Sequence, residues 1–312
     1  MIQQLTAVVF FCYNRPEKTK ESLTKILEFK GDLPVFAFSD GDQKRLSTKV
    51  IEVRNILDEY KHDIETTVLR KKNCGLAQNV ISGISFVFNK GFDSVIVFED
   101  DCVPDASFFP FVNDALKTLR FNKKVMHISG FGLPMKFKPL KGYYYSPYPC
   151  SWGWATWKDR WDKCDFEDNS YYSQVLNNKE LRDQFDWAGK SFSHFLKLQQ
   201  KGAINSWLIR WYAHIFKHNG VSLWATYTHL KNTGFDGSGI HQVSFDRFNQ
   251  PTNNKIKRVN FDNEIKLDPY TITHFKQFFM GPMLINKIKT VLYNLTGIFF
   301  EKPTNLPQKY KK

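Results

Sequence analysis

Three consecutive carboxylates, Glu99, Asp100 and Asp101, follow directly on the apolar run at 95–98. Adjacent acids repel one another, and a strand end gains nothing structural from three of them. A divalent cation makes such a cluster favourable, because hard oxygen ligands suit Mg²⁺ or Mn²⁺. Open α/β sheets bind their ligands outside the carboxyl ends of the strands. The triplet is therefore the expected reaction centre, and a solvated turn is the plain alternative. Two further groups carry chemistry. Asp40 closes another apolar run and precedes Gly41. A carboxylate there can accept from the imide N–H of a uracil base, although Asp-Gly is also a common turn. Asn73, Gly75 and Asn79 stand where a helix begins. Amides and backbone N–H groups at a helix start suit a ribose or phosphate oxygen, and Asn also caps helices routinely.

The elements that must position these groups alternate. Residues 7–11 (Ala-Val-Val-Phe-Phe) form a continuous apolar run, as in a strand covered on both faces. Asn14, Pro16 and Glu17 read as a helix start, with Asn14 as the N-cap. Residues 33–38 predict a second strand, Val50, Val53, Ile56, Leu57 and Tyr60 a helical stripe, and residues 66–69 a third strand. Val80, Ile81, Ile84, Val87 and Phe88 predict another helix, and residues 95–98 the fourth strand. This order argues for a mostly parallel, Rossmann-like sheet flanked by helices. After residue 125 the pattern changes to short strands, a Tyr-rich run, a Trp-rich segment and a helix over 204–218 that stops at Asn219-Gly220. The expected organisation is a donor-binding half at 1–125, an acceptor-side half at 126–250, and a basic, aromatic C-terminal extension at 251–312.

The 312 residues suffice for a large core, and 16% of them are aromatic, including 29 Phe and 8 Trp. That excludes a disordered chain and suits a cleft with stacking surfaces. A net charge of +13 attracts nucleotides, phosphorylated substrates, anionic lipid or nucleic acid. No array of Arg and Lys interleaved with aromatics occurs outside the tail, so nucleic acid fits poorly. Five cysteines without CxxC spacing predict free thiols in a reducing compartment and no zinc site. With no signal-peptide pattern and no apolar run of spanning length, a cytoplasmic protein is expected. The tail mixes Phe278, Phe279, Leu284, Ile285, Ile288, Val291 and Leu292 with Lys276, Lys287 and Lys289. It predicts either a helix packed on the core or a peripheral contact with the inner, anionic face of a membrane.

The motifs in order are Asn14-Arg15-Pro16, Ser39-Asp40-Gly41, Asn73-x-Gly75-x-x-x-Asn79 and Phe98-Glu99-Asp100-Asp101. They are followed by Asp105-Ala106-Ser107-Phe108-Phe109, the segment 151–157 (Ser-Trp-Gly-Trp-Ala-Thr-Trp), the Trp207–Trp211 helix and Asn232-Thr233-Gly234-Phe235. Over roughly residues 5–245 this series resembles the GT-A nucleotide-sugar glycosyltransferases, closest to the branch of the N-acetylglucosaminyltransferase I type and its bacterial sugar-transferase relatives. The resemblance implies a GT-A fold, a UDP-sugar donor, a Mn²⁺ or Mg²⁺ cofactor, and transfer of a hexosyl or N-acetylhexosaminyl group to a glycan, lipid-linked or of a surface polysaccharide. It implies Arg15 and Asp40 near the base, Asn73, Gly75 and Asn79 along ribose and diphosphate, Asp101 on the metal, and Glu99 and Asp100 on ribose and sugar. A loop with Gly234, Gly237 and Gly239 would close over the donor, and His241 beyond it would approach the metal or the diphosphate.

The sequence departs from that pattern at the general base. Related inverting enzymes carry Asp at the start of the Trp-containing helix, where this chain has Asn205 and Ser206. Both are good N-caps and neither is a base near neutral pH. Asp186 and Asp236 are the nearest replacements. Trp152 and Trp154 are expected on the acceptor side of the cleft, and Trp157 and Trp161 in the core. Two other readings remain open. A sugar-phosphate nucleotidyltransferase shares the topology but wants a Gly-rich loop after the first strand, which Cys12-Tyr13-Asn14-Arg15-Pro16 is not. A non-catalytic basic protein that binds a membrane or nucleotides fits the charge and the missing base.

Overall fold

The computed structural model describes residues 4–43, 46–136, 138–189, 191–236, 246–252, 259–262, 264–279 and 283–298. The first part alternates as its apolar runs require: β1 (Thr6–Cys12), α1 (Pro16–Phe29), β2 (Val35–Ser39), α2 (Thr48–Glu59), β3 (Thr66–Leu69), α3 (Leu76–Asn89) and β4 (Ser94–Glu99). Then come β5 (Cys102–Pro104), α4 (Phe108–Thr118), β6 (Val125–Ser129), β7 (Tyr143–Ser146), β8 (Trp154–Trp157), α5 (Lys158–Trp161), α6 (Ser170–Asn177), α7 (Lys179–Phe185), α8 (Ser191–Gln200) and α9 (Trp207–Lys217). The remaining elements are β9 (Val221–Ala225), β10 (Leu230–Asn232), α10 (Pro269–Lys276) and α11 (Met283–Thr296).

Eight strands make one sheet in the order β3-β2-β1-β4-β8-β6-β9-β7, and β5 pairs with β10 in a separate ribbon. The fold is α/β with a large central sheet flanked by helices. The sheet is mixed rather than mostly parallel. β3, β2, β1 and β4 run parallel, whereas β8 lies antiparallel between β4 and β6, and β7 antiparallel to β9. The difference arises after residue 125, where short strands follow one another without crossover helices and can therefore reverse direction. The carboxyl ends of β1, β2, β3 and β4 meet at one edge, and the reversed β8 brings its amino end to that same edge.

The start of α1 lies one residue later than expected. Arg15 is the N-cap, Pro16 follows in the first turn, and no side chain caps the helix. This frees the Arg15 side chain for the carboxylates described below. The remainder of the first part falls where the apolar periodicity places it. Its core is all but sealed: Val8, Phe10, Ile96 and Phe98 are fully buried on one face of the sheet, and Ala7, Val9, Val80 and Ile84 on the other. The C-terminal helices return to this body. Phe275, Phe278 and Tyr293 are fully buried, and Phe275 packs on Trp224 with ring centres 5.1 Å apart. No helix among the described residues is long and apolar enough to cross a membrane.

Candidate active site at the carboxyl edge of the sheet

β4 delivers Glu99, Asp100 and Asp101 to the shared edge, where burial decides their chemistry. Asp100 is buried, and Arg15 from the loop after β1 pairs with its Oδ1 and, at 3.1 Å, with Asp101 Oδ2. One guanidinium pairs with two of the three acids. Burial, reinforced by Asp101 and Asp100, raises the Glu99 carboxyl to about 8. Burial also lifts Asp100 to about 6, outweighing the opposing pull of Arg15. The two carboxylates in turn hold the Arg15 guanidinium more firmly charged, against the effect of its own burial.

The ribbon of β5 and β10 fixes the outer wall. Thr233 N–H donates to the Asp101 carbonyl at 2.8 Å, and Asn232 Nδ2 reaches Asp101 Oδ1 at 3.4 Å. Gly234 follows so closely that a Cβ there would stand 2.4 Å from Asp101 Oδ2. Lys18 of α1 donates to the Thr233 carbonyl at 2.5 Å and pairs with Asp236 at 2.7 Å. Asp236 is thereby tied to α1 through the same lysine that grips the Thr233 carbonyl.

Asp40 is buried and spends both oxygens on backbone. Oδ1 accepts from Gly41 N–H at 2.8 Å and Cys74 N–H at 3.0 Å, and Oδ2 accepts from Gly75 N–H at 3.0 Å. Gly75 is the N-cap of α3 with φ +78, a left-handed conformation that suits glycine. A carboxylate at a helix amino terminus is where an anion is most stable. Asp40 thus occupies the position that the sequence assigned to a phosphate, and its charge shapes the loop instead of pointing at a base. Asn73 tightens the same turn, donating to the Gly41 carbonyl at 2.8 Å and accepting from Gly75 N–H at 3.1 Å. Asn79 is buried and accepts from Arg70 Nε at 3.2 Å. Arg15, Asp40, Asn73, Gly75, Asn79 and the acid triplet all lie along one edge of the sheet.

Other expected residues separate. Trp154 is fully buried within β8, stacked between His127 and Trp207 with ring centres 4.9 Å from each. It has no face for a substrate and belongs to the core, as do Trp157 and Trp161. Its place follows from β8 being an inner strand. Trp152, two residues earlier, is half-buried and meets Phe131, Phe235 and Phe248 edge-on. Asp186 accepts from Ser193 N–H at 2.8 Å and Ser193 Oγ at 2.6 Å, so its carboxylate caps the first turn of α8. Ser206 caps α9, and Asn205 accepts from Arg210 at 2.5 Å. His241, Gly237 and Gly239 lie outside the described residues.

A cavity of about 220 Å³ opens beside Trp152, lined also by Leu133, Tyr148, Cys150, Trp224, Phe235, Arg247, Phe248, Phe279 and Lys287. Cys150 in its lining feels the charge of Glu99. β8 is paired with β4 up to Val97 opposite Trp154, and Trp152 and Glu99 each stand two residues beyond that last pair. Arg247 and Lys18 carry no signal in sequence, because an isolated cation in a basic chain looks like any other.

Among the described residues no three carboxylate, imidazole or thiol groups converge on one point. A cation at Asp101 would therefore complete its shell with substrate oxygens, as Mg²⁺ commonly does with one or two carboxylates. Burial is the main cause that raises Glu99 and Asp100, and the repulsion from neighbouring acids that adds to it fits such a cation.

No protein-family profile and no curated protein matches the sequence. Among solved structures, the chain is similar to a mannosyltransferase from Pyrobaculum calidifontis in complex with GDP-Man and Mn²⁺ (13% identity, TM-score 0.40, covering 70% of this chain and 71% of that one). It is similar to residues 1–349 of S. aureus TarS (11% identity, TM-score 0.40, 74% and 61%) and to a cytidylyltransferase from Leptospira borgpetersenii (12% identity, TM-score 0.35, 57% and 73%).

Proposed function

We propose that the protein transfers a sugar from a nucleoside-diphosphate donor, a UDP-sugar, to a glycan acceptor. The observation that carries this reading is the pairing of a cation-seeking acid triplet with Arg15 at the carboxyl edge of the sheet, next to a Trp-lined cavity. In this reading Asp101 holds Mn²⁺ or Mg²⁺, which neutralises the charge that develops on the departing diphosphate. Glu99 and Asp100 orient ribose and sugar. Arg15, paired with Asp100 and Asp101, would become available to a phosphate if a bound cation took up their charge. Asp40, Asn73, Gly75 and Asn79 form the rigid wall along which the nucleotide lies, and Trp152 offers its ring to the acceptor. Asp236, held by Lys18, is the better placed of the two base candidates.

Two features support attachment to an anionic membrane surface. Leu284, Ile288, Leu292 and Leu295 of α11 are exposed in one stripe. Residues 269–300 contain three Lys and no acid, a composition suited to an interfacial helix on anionic lipid. A lipid-linked glycan would be met there.

The test is thermal denaturation with UDP and Mn²⁺. Wild-type protein is expected to gain several degrees and Asp101→Asn to gain none. An equal shift in both proteins, or none in either, would remove the basis of the reading.

A further inference from the structure

Arg247 is the least expected group in the Trp152 cavity. Its Nη1 is buried and, among the described residues, has no hydrogen-bond partner. Among the described residues no carboxylate pairs with it; its only neighbour of note is the Phe248 ring, 4.7 Å from the guanidinium carbon. Burial with no compensating anion lowers its pKa to about 10. A guanidinium nitrogen withdrawn from water without a partner costs stability, and a half-buried arginine that keeps one offers a place for an anion. Arginine suits that role through its planar donor fork, which matches phosphate oxygens. A second cation, Lys287 of α11, lines the same cavity, and the remaining walls are mainly apolar and aromatic. The cavity thus joins a half-buried positive end to a greasy body. α11 places Lys287 at the cavity and carries the apolar stripe on its outer face.

We propose that this cavity binds a phosphate ester whose organic part is apolar, with the phosphate on Arg247 and Lys287 and the apolar part against Trp152, Trp224, Phe248 and Phe279. This deepens the transferase reading and rests on it only for the role of the occupant: an alkyl-phosphate-linked acceptor, held with its far end toward Glu99. The binding itself is independent of that reading.

The experiment measures octyl phosphate binding to the full chain by calorimetry below the micelle concentration, beside inorganic phosphate and octyl glucoside. Octyl phosphate is expected to bind at least about tenfold more tightly than either control, a difference of about 1.4 kcal/mol. Arg247→Met should lower it to the level of octyl glucoside, and Arg247→Lys should fall between. The ligand-free Arg247→Met protein should melt no lower than wild type, because the replaced cation has nothing to hold in place. The proposal is overturned if octyl glucoside or inorganic phosphate binds as tightly as octyl phosphate. It is equally overturned if Arg247→Met binds normally or melts clearly lower, which would make Arg247 a structural residue. Loss of the UDP–Mn²⁺ shift with octyl phosphate binding intact would sink the transferase reading and leave the cavity's ligand standing. The converse result would do the reverse.

Discussion

At the scale of the residue, the site is a problem in placing negative charge. Asp40 and the acid triplet are all carboxylates at strand ends, but their surroundings give them opposite roles. Asp40 meets three backbone donors and is used up by them. Asp40→Asn would turn an amide donor toward N–H groups, and a cost of about 2–3 kcal/mol in urea unfolding is expected. A Tm and urea midpoint equal to wild type would show that the loop holds without the charge. The triplet meets one guanidinium and has charge to spare. Gly234→Ala tests the geometry there. The added methyl would press on the end of the Asp101 side chain, a group that can swing aside. Little change in ligand-free Tm is therefore expected, with roughly tenfold weaker UDP–Mn²⁺ binding, about 1.4 kcal/mol. Unaltered binding would place the cation elsewhere. The acid triplet stands out in sequence because adjacent like charges need a reason. The saturation of Asp40 does not, since it depends on where a loop 34 residues later returns.

At the scale of the element, β8 separates what composition cannot. Trp152 and Trp154 lie two residues apart in a Trp-rich segment, and both suit a sugar or a core. The antiparallel insertion of β8 between β4 and β6 seals the second and leaves the first at the edge. Trp154→Ala should cost about 3–5 kcal/mol of stability. Trp152→Ala should cost clearly less and instead weaken octyl phosphate binding. If the two substitutions destabilise equally, Trp152 is packing and not a cleft wall. The parallel strands were readable because a strand covered on both faces is a plain apolar run. β7 and β8 were not, because four-residue strands leave too little pattern to show direction, and a single reversed strand changes which side chains reach the edge. α11 divides in a similar way. Tyr293 and Thr290 are buried on one side while the Leu284–Leu295 stripe is exposed on the other. Ile288→Asp is expected to abolish co-sedimentation with phosphatidylglycerol vesicles while leaving UDP–Mn²⁺ binding unchanged. Equal binding to neutral vesicles by the wild-type chain would remove the role of charge.

At the scale of the whole molecule, buried histidines set the response to acid. Burial lowers His127 to about 3, and lowers His214, His229 and His274 to about 4, from an ordinary value near 6.5. The Tyr293 hydroxyl accepts from Lys136 N–H at 3.0 Å and is hydrogen-bonded to His274 Nδ1. All four side chains are neutral in the fold and take up a proton near pH 6.5 when the chain unfolds. Their contribution is complete above pH 6.5 and is lost as pH falls toward 4 and then 3. Glu99 and Asp100 act in the other direction. Their raised values mean that the fold holds two protons the unfolded chain has released, and this costs stability as pH rises from the ordinary carboxylate range to about 8. Between about pH 4.5 and 6 the unfolded chain therefore binds four extra protons against two for the fold, and acid is destabilising. Above pH 6.5 the carboxyl cost remains up to about pH 8, where the half-buried Lys138 amine, lowered to about 8, begins to oppose it, so the ligand-free protein should be most stable near pH 6.5. Urea midpoints measured from pH 4.5 to 8.5 are expected to peak there. His127→Phe, which keeps the ring stack on Trp154, should flatten the acid limb, and Glu99→Gln should flatten the alkaline one. A midpoint that rises steadily from pH 4.5 to 8.5 in wild-type protein would mean that Glu99 is ionised throughout and that its burial does not hold it protonated.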